Sequence, residues 1–258
     1  MKIKFYKYQG AGNDFVMIDN RDRNFPANKE NIAHICDRNF GVGGDGLILL
    51  ENDSETNFKM VYFNSDGNES TMCGNGGRCI VRFAHDLDVT TEKMTFNAID
   101  GLHHAIVDGD TIRLQMIDVK EVEDHDRYLF MNTGSPHHVE FVDNVEAVDV
   151  YNLGKKIRNG APYYEQGSNV NFVEVLSDQN LKIRTYERGV EDETLACGTG
   201  ITAAAIASYI RGFVKSNKIS IEALGGKLSV NFDEKNNTFE NVWLNGPAKR
   251  VFEGEIEI

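Results

Sequence analysis

The chain has 258 residues, with 40 Asp and Glu against 27 Lys and Arg, and a formal net charge of −13 at pH 7. This acidity argues against a nucleic-acid partner, because phosphate binding requires clustered Lys and Arg. No apolar run is long enough for a signal peptide or a membrane span. We therefore expect a cytoplasmic protein without a membrane partner.

The cysteine content limits the chemistry further. Cys36, Cys73, Cys79 and Cys197 are too few to cross-link a secreted fold of this length. Structural zinc sites use cysteines two to four residues apart, and the closest pair, Cys73 and Cys79, has five residues between them. We expect no metal site, so these cysteines are core residues or reactive thiols.

Short segments rich in Val, Ile and Phe, separated by Asn, Asp and Gly, predict strands. In chain order they are Ile3–Tyr8, Phe15–Asp19, Gly46–Glu51, Phe58–Phe63, Met94–Asn97, Thr111–Met116, Val139–Val142, Val170–Val175, Leu181–Tyr186 and Lys227–Asn231. The predicted helices are Glu30–Asn39, Gly76–Leu87, Val145–Arg158 and Gly200–Arg211. This pattern predicts an α+β fold.

The chain contains an internal repeat. Phe63–Ala84 and Thr185–Ser208 each read as a strand, a polar Gly-containing loop, Cys-Gly-x-Gly and a helix. The second helix is apolar nearly all round, which is typical of a helix buried on all sides. Because the Cys-Gly-x-Gly motifs occupy matching places, the repeat predicts two similar β-rich half-domains. Each would be a strand barrel around a central helix, with the active site in the cleft between them.

The upstream turns extend this repeat. Gly12 precedes Cys73 by 61 residues, and Gly134 precedes Cys197 by 63 residues. We place the boundary in the polar stretch at Val119–Glu123, which predicts half-domains at 1–118 and 119–258. The last strand, near 248–258, is a candidate to pack back on the N-terminal half.

Cys73 and Cys197 each directly precede a Gly-rich helix start. The unpaired N–H groups and the dipole at a helix N-terminus favour a thiolate and can also hold a carboxylate. Two such loops on opposite faces of an amino acid would let one thiolate remove the α-proton while the other thiol delivers one. This pattern predicts inversion of the α-carbon without a cofactor.

Other interpretations of the cysteines and glycines carry different weight. A single Cys is usually a small core residue, and we expect this of Cys36 and Cys79, which lie in predicted helices. The Cys-Gly-x-Gly motif lacks the Lys-Ser/Thr of a phosphate-binding P-loop. The Gly-rich segment Gly41–Gly46 is expected to be a tight turn.

Six motifs together resemble the diaminopimelate epimerase family over essentially the whole chain. They are GAGNDF at Gly10–Phe15, FNSDG at Phe63–Gly67, MCGNGGRC at Met72–Cys79, GSPHHV at Gly134–Val139, YERG at Tyr186–Gly189 and ACGTG at Ala196–Gly200. The resemblance implies interconversion of LL- and meso-2,6-diaminopimelate, which serves lysine and peptidoglycan precursor synthesis. It also implies no pyridoxal phosphate, no metal and a homodimer.

The resemblance also assigns roles to individual residues. Cys73 and Cys197 match the two acid/base thiols, His137 matches a catalytic His close to the first thiol, and Glu187 matches a catalytic and substrate-binding acid. The remaining substrate-binding positions are Asn13, Asn64, Gly74, Asn75, Asn171, Arg188, Gly198 and Thr199. From the sequence alone, His137 after Pro136 reads as a solvated turn residue and Glu187–Arg188 as a surface ion pair.

The chain departs from the family pattern at several positions. Ser135 stands where many members have a substrate-binding Asn, and Gly46 stands where some have Gln. The loop Val190–Thr194 is one residue longer than the commoner form, and Phe252 replaces a Tyr that many members have near the dimer contact.

Two other functions stay open at this point. A racemase of the same fold could act on proline, hydroxyproline or histidine, although proline racemases typically have His where Asn75 stands. A redox or binding protein could instead use Cys73 and Cys197 as a switchable disulfide.

Overall fold

The computed structural model describes residues 1–89 and 92–258, which adopt the predicted α+β fold. The strands are β1 (Lys2–Gly10), β2 (Asn13–Asp19), β3 (Gly46–Glu51), β4 (Phe58–Asn64), β5 (Lys93–Ala98), β6 (Gly101–Asp108), β7 (Thr111–Gln115), β8 (Val122–Asp124), β9 (Tyr128–Asn132), β10 (Pro136–Phe141), β11 (Asn169–Val175), β12 (Asn180–Glu187), β13 (Asp192–Thr194), β14 (Lys218–Ala223), β15 (Gly226–Lys235), β16 (Thr238–Pro247) and β17 (Lys249–Glu257). The α-helices are α1 (Lys29–Cys36), α2 (Gly74–Asp86), α3 (Val150–Asn159) and α4 (Gly198–Ile210).

The described chain divides into two compact units. The first contains Met1–Leu114 and Gly246–Ile258, and the second contains Gln115–Asn245. The C-terminal strand β17 belongs to the first unit because it pairs antiparallel with β1, from Lys2 opposite Glu257 to Gln9 opposite Lys249. The predicted half-domains at 1–118 and 119–258 stay a prediction.

The same strand order is found inside both units. In the first, β1 and β2 are antiparallel, β2 and β3 are parallel, and β3 and β4 are antiparallel. In the second, β9 and β10, β10 and β11, and β11 and β12 repeat these three relationships. After the Cys-Gly-x-Gly helix, β4 pairs parallel with β5 as β12 pairs parallel with β14. The repeat in the sequence therefore corresponds to a repeated topology.

The repeat extends to a strand that the chain supplies from two different places. In the second unit, β8 pairs antiparallel with β9 and directly precedes it in the chain. In the first unit, the matching place beside β1 is filled by β17 from the far end of the chain. The polar stretch chosen as a domain boundary thus overlaps strand β8 at Val122 and Glu123, and the sequence did not predict this strand.

Helices α2 and α4 occupy the centre of their respective units. Strands β1, β2, β3 and β6 pack on α2, and strands β9, β10, β11, β12, β14 and β15 pack on α4. Helix α4 is buried along Ile201–Ser208, as its all-round apolar sequence predicts. Helix α2 is buried from Gly74 to Val81 and again at Phe83 and Ala84, and its first turns include small glycines and the fully buried Arg78.

Two predicted helices differ from the observed ones. The segment Val145–Arg158 forms a 3-10 turn at Val145–Ala147 and then α3, because Val148 is extended and Asp149 caps a new helix by accepting a hydrogen bond from the Asn152 N–H. Helix α1 ends at Cys36 rather than at residue 39.

The early end of α1 has a local cause. Asp37 is extended, and its carboxylate accepts hydrogen bonds from the N–H groups of Asn39 and Phe40. These bonds replace the helical ones and turn the chain toward β3.

Among the described residues, no helix is long and apolar enough to cross a membrane.

Candidate active site

Cys73 lies between β4 and α2 and is the N-cap residue of α2. Its backbone is extended, with φ −102° and ψ 149°, and its Sγ accepts a hydrogen bond from the Gly76 N–H at 3.2 Å. The side chain is half-buried. A main-chain donor at a helix N-terminus stabilises negative charge, so this position favours a thiolate.

A buried cation lies beneath the start of α2. Arg78 is fully buried and donates to the Gly74 carbonyl at 3.1 Å and to the Asn75 Oδ1 at 2.7 Å. Burial lowers the pKa of Arg78 to about 10, and the nearby Cys79 and Cys73 sulfurs oppose this shift. The guanidinium therefore fixes the Asn75 amide and adds positive charge near Cys73.

The Asn75 amide is hydrogen-bonded to Asn13, the first residue of β2. The Asn75 Nδ2 donates to the Asn13 Oδ1 at 3.4 Å, and the Asn13 Nδ2 donates to the Asp45 carboxylate. Arg38 donates to the same carboxylate at 2.8 Å. Because each amide has a defined donor and acceptor, the orientations of Asn13 and Asn75 are fixed.

Arg38 also connects Asp45 to a network of charged side chains around Asp14. Arg38 makes two hydrogen bonds to Asp14, at 3.1 and 2.7 Å, and the buried Lys7 approaches Asp14 to 2.6 Å. Burial raises the pKa of Asp14, but the hydrogen bonds from Arg38 and Lys7 outweigh it and lower the pKa to about 2. Asp14, Arg38 and Asp45 were not predicted from the sequence, where their charged side chains near Gly-rich segments were the available signal.

Asn64 and Gly46 face each other across β3 and β4. Asn64 is exposed at the end of β4. A Cβ at position 46 would lie 2.5 Å from the Phe63 carbonyl and 2.6 Å from the Tyr62 ring. A larger residue such as Gln therefore requires Tyr62 to move, so Gly46 and the position of Tyr62 are linked.

Cys36 and Cys79 are core residues, as the sequence predicts. Cys36 ends α1 within an apolar cluster, and Cys79 is fully buried in α2. Burial raises the pKa of the Cys36 thiol to about 12 and raises that of Cys79 as well. Both thiols are therefore held protonated and inert.

Cys197 is the N-cap residue of α4, the position that matches Cys73 in the repeat. Its backbone is extended, and 7% of its surface is exposed. No side-chain capping hydrogen bond is formed here; instead the Sγ lies 3.4 Å from the Thr199 Oγ1. The two thiols thus share a position but differ in their described hydrogen-bond partner.

His137 is not the solvated turn residue that its sequence context suggests. It lies on β10 and is fully buried, because β10 is covered by α4 and flanked by β9 and β11. Its Nε2 lies 2.8 Å from the Thr199 Oγ1, and its Nδ1 lies 3.1 Å from the Asn171 Nδ2. Burial lowers the pKa of His137 to about 3, so the ring is neutral.

Asn171 is fully buried on the neighbouring strand β11. Its Nδ2 also donates to the His138 carbonyl at 2.9 Å, and its Oδ1 accepts from the Thr185 hydroxyl at 3.0 Å. Both amide hydrogens are used within the protein. A Cβ at Gly200 would lie 2.4 Å from the Asn171 Oδ1, so only glycine lets α4 start against this amide.

Glu187 is the last residue of β12, Arg188 follows it, and their side chains have different surroundings. Glu187 is half-buried, and burial raises the pKa of its carboxyl group. Arg188 is exposed, and its Nη1 donates to the Gln166 carbonyl at 2.9 Å. A half-buried carboxyl group with a raised pKa holds its proton more strongly than an exposed one.

Asn169 is a site residue that the sequence analysis missed. It lies two residues before Asn171 on β11, and its Nδ2 donates to the Ser135 Oγ at 2.9 Å and to the Pro136 carbonyl at 3.0 Å. Its Oδ1 accepts from the Arg188 N–H at 2.8 Å. The Asn-x-Asn spacing at the edge of the predicted strand Val170–Val175 was the available signal, since residues two apart on a strand lie on one face.

Among residues 1–89 and 92–258, no group of three or more His, Cys, Asp or Glu side chains is placed to hold a metal ion.

The residues implied by the resemblance fall into two groups, one around Cys73 and one around Cys197. Asn13, Gly74 and Asn75 are joined through hydrogen bonds in the first unit. His137, Asn171 and Thr199 are joined in the second.

Known structures share this fold. A phenazine biosynthesis protein of the PhzF family from Bacillus anthracis superposes with a TM-score of 0.78 at 13% identity and covers 100% of both chains. A hydroxyproline epimerase from Agrobacterium vitis, with bound trans-4-hydroxy-L-proline, superposes with a TM-score of 0.71 at 14% identity, covering 99% of this chain and 92% of its own.

Similarity in sequence is closer. The diaminopimelate epimerase family model matches residues 5–120 and 129–251. The diaminopimelate epimerase of Flavobacterium psychrophilum is 59% identical over 256 residues, which cover 98% of this chain and 100% of the relative. That of Aquifex aeolicus is 41% identical over 275 residues, covering 98% of each. The chain belongs to the diaminopimelate epimerase family.

Proposed function

We propose that the protein interconverts LL- and meso-2,6-diaminopimelate by proton exchange at one α-carbon, with Cys73 and Cys197 as the two bases. The observation that carries this proposal is the repeated placement of a cysteine as the N-cap of a central helix. Family membership supplies the substrate. The mechanism requires both thiols to reach the same α-carbon from opposite faces, and a shared cleft for them stays a prediction.

One turnover exchanges the protonation states of the two sulfurs. The thiolate on one face takes the α-proton and becomes a thiol, and the electron pair of the broken C–H bond passes onto the α-carbon and its carboxylate. The thiol on the other face then gives its proton to the α-carbon and becomes a thiolate. The N–H groups at Gly74–Asn75 and Gly198–Thr199 are proposed to hold the carboxylate, where they stabilise the developing charge.

The other residues divide by their surroundings. Asn13, Asn64, Glu187 and Arg188 are proposed to contact the polar groups of the substrate, which carries two ammonium and two carboxylate groups. Support comes from the exposed or half-buried positions of these four side chains. His137 is neutral and buried, so it is proposed to act on a thiol through a hydrogen bond rather than as a cation.

Family membership also supports several coarser proposals. We propose that the enzyme needs neither pyridoxal phosphate nor a metal ion and that it works in the cytoplasm as a homodimer. Its product would serve lysine and peptidoglycan precursor synthesis.

An exchange assay in deuterated water tests the substrate. LL-diaminopimelate should be converted to the meso form with deuterium at one α-carbon, while L-proline, trans-4-hydroxy-L-proline and L-histidine should not exchange. Exchange into one of these three without exchange into diaminopimelate would contradict the proposed substrate.

Variants of the cysteines test the bases. Cys73→Ala and Cys197→Ala should each reduce turnover by at least about 10³-fold, because each removes a group that transfers a proton in the transition state. Cys36→Ala is the matched control and should retain the wild-type rate, since Cys36 lies in an apolar core cluster. A near-normal rate in either active-site variant would exclude the two-base mechanism. A redox protein would instead show no exchange at all in the wild type.

A further inference from the structure

We propose that Thr199 is a positioning residue whose hydroxyl, oriented by His137 and Asn171, donates a hydrogen bond to the Cys197 sulfur and holds it as a thiolate. This proposal rests on the proposed function, in which Cys197 is one of the two bases. It assigns Thr199 a role through its side chain, in addition to any role of its main-chain N–H in carboxylate binding.

The direction of the hydrogen bonds follows from Asn171. Its Nδ2 donates to the His138 carbonyl, which can only accept, and this bond fixes which end of the amide is nitrogen. Thr185, the direct cross-strand partner of Asn171, donates to the opposite end. The second hydrogen on Nδ2 therefore points to the His137 Nδ1, which must accept it.

The tautomer of His137 then determines the direction of its hydrogen bond to Thr199. Because the Nδ1 accepts, the neutral imidazole carries its hydrogen on Nε2 and donates to the Thr199 Oγ1 at 2.8 Å. The Asn169 Nδ2, 3.5 Å from the same Nε2, does not compete, because its two hydrogens go to the Ser135 Oγ and the Pro136 carbonyl. The hydroxyl oxygen is then an acceptor, and its single hydrogen remains available for the Cys197 Sγ at 3.4 Å. Since a thiolate can only accept, this chain matches the deprotonated form of Cys197.

The surroundings hold this chain in one arrangement. His137 and Asn171 are fully buried, and the hydroxyl of the buried Thr133 donates to the Thr199 carbonyl at 2.8 Å. The absence of a side chain at Gly200 lets the Asn171 amide reach its place against α4. The low pKa of His137 keeps the ring neutral, so the direction of the chain is the same across the neutral pH range.

The matching loop around Cys73 uses a different donor. There the Gly76 N–H donates to the sulfur, whereas α4 makes no such side-chain capping bond to Cys197. Position 75, which corresponds to Thr199, is an Asn whose amide bonds Arg78 and Asn13. A substitution of Thr199 is therefore expected to change the reactivity of the Cys197 thiol and to leave the reactivity of the Cys73 thiol unchanged.

The test measures the reactivity of each thiol with iodoacetamide as a function of pH, by peptide mass spectrometry without substrate. In a Cys73→Ala background, Thr199→Val should move the midpoint of the Cys197 alkylation profile up by about one pH unit, a tenfold loss of thiolate. Thr199→Ser keeps the hydroxyl and should restore the midpoint. Thr202→Val is the control, since the Thr202 hydroxyl donates to the Gly198 carbonyl in the same helix.

Several outcomes decide the proposal. An unchanged Cys197 midpoint in Thr199→Val, with a loss of diaminopimelate turnover, would overturn it and leave Thr199 a substrate contact only. A shifted midpoint in a protein whose wild type does not epimerise diaminopimelate would support the hydrogen-bond chain and contradict the proposed function. Should Thr199→Val fail to fold, 15N NMR of wild-type His137 at pH 8 decides: hydrogen on Nε2 supports the chain, and hydrogen on Nδ1 overturns it.

Discussion

The neutral, buried His137 makes the stability of the protein depend on pH. Burial lowers its folded-state pKa from 6.5 to about 3. Between these two values the unfolded chain binds a proton that the folded protein does not. The folded state therefore loses stability as the pH falls below about 6.5, and recovers it as the pH rises.

The magnitude follows from the two pKa values. A pH of 5 lies about 1.5 units below the pKa of the unfolded histidine, and each unit corresponds to about 1.4 kcal/mol of unfolding free energy. The native protein should therefore lose about 2 kcal/mol of unfolding free energy between pH 8 and pH 5 from this residue alone. His137→Gln removes the titrating group and should reduce the change between the two pH values by that amount.

Urea unfolding, followed by far-UV circular dichroism at pH 8 and pH 5, measures this difference. The exposed His34 provides the control, because His34→Gln changes the same residue type outside the buried core. His34→Gln should follow the wild type at both pH values. If His137→Gln lost as much stability as the wild type on acidification, His137 would be charged or solvated in the folded protein, and the reasoning would fail.

Two further substitutions test how the two thiol loops are held in place. Gly200→Ala places a Cβ 2.4 Å from the Asn171 Oδ1. We expect this substitution to cost about 1–3 kcal/mol of unfolding free energy in urea and to lower turnover by displacing His137. Wild-type turnover and stability would contradict the observed packing. Asp45→Asn weakens the hydrogen bond that Asn13 donates to Asp45 and the ion pair of Asp45 with Arg38. The KM for diaminopimelate should therefore rise several-fold, with a smaller change in kcat. A selective loss of kcat would argue against a binding role for Asn13.

The repeated topology could be predicted from the sequence because its signals are local. The Cys-Gly-x-Gly motifs and the helices that follow them depend on residues close in the chain, and the structure has both at the expected places. The apolar character of α4 likewise predicted its burial. Such local patterns identify which cysteines cap helices.

Other features depend on residues far apart in the chain. The strand β17, expected near 248–258, is mostly exposed, and its pairing with β1 joins residues from the two ends of the chain. His137 looked solvated because its neighbours in the chain are polar, but β11 and α4 cover it. The orientation of the Thr199 hydroxyl depends on Asn171 and His137 together, on two strands that only the fold brings side by side.

Early-time isotope incorporation in deuterated water is the most direct test of two bases. At a few per cent conversion of LL-diaminopimelate, we predict deuterium in the meso product and none in the recovered LL substrate. This follows because the thiol that receives the α-proton returns only that proton, while the opposite thiol delivers a solvent-derived one. Equal deuterium in recovered substrate and product, or product that retains the original proton, would contradict a mechanism with Cys73 and Cys197 on opposite faces.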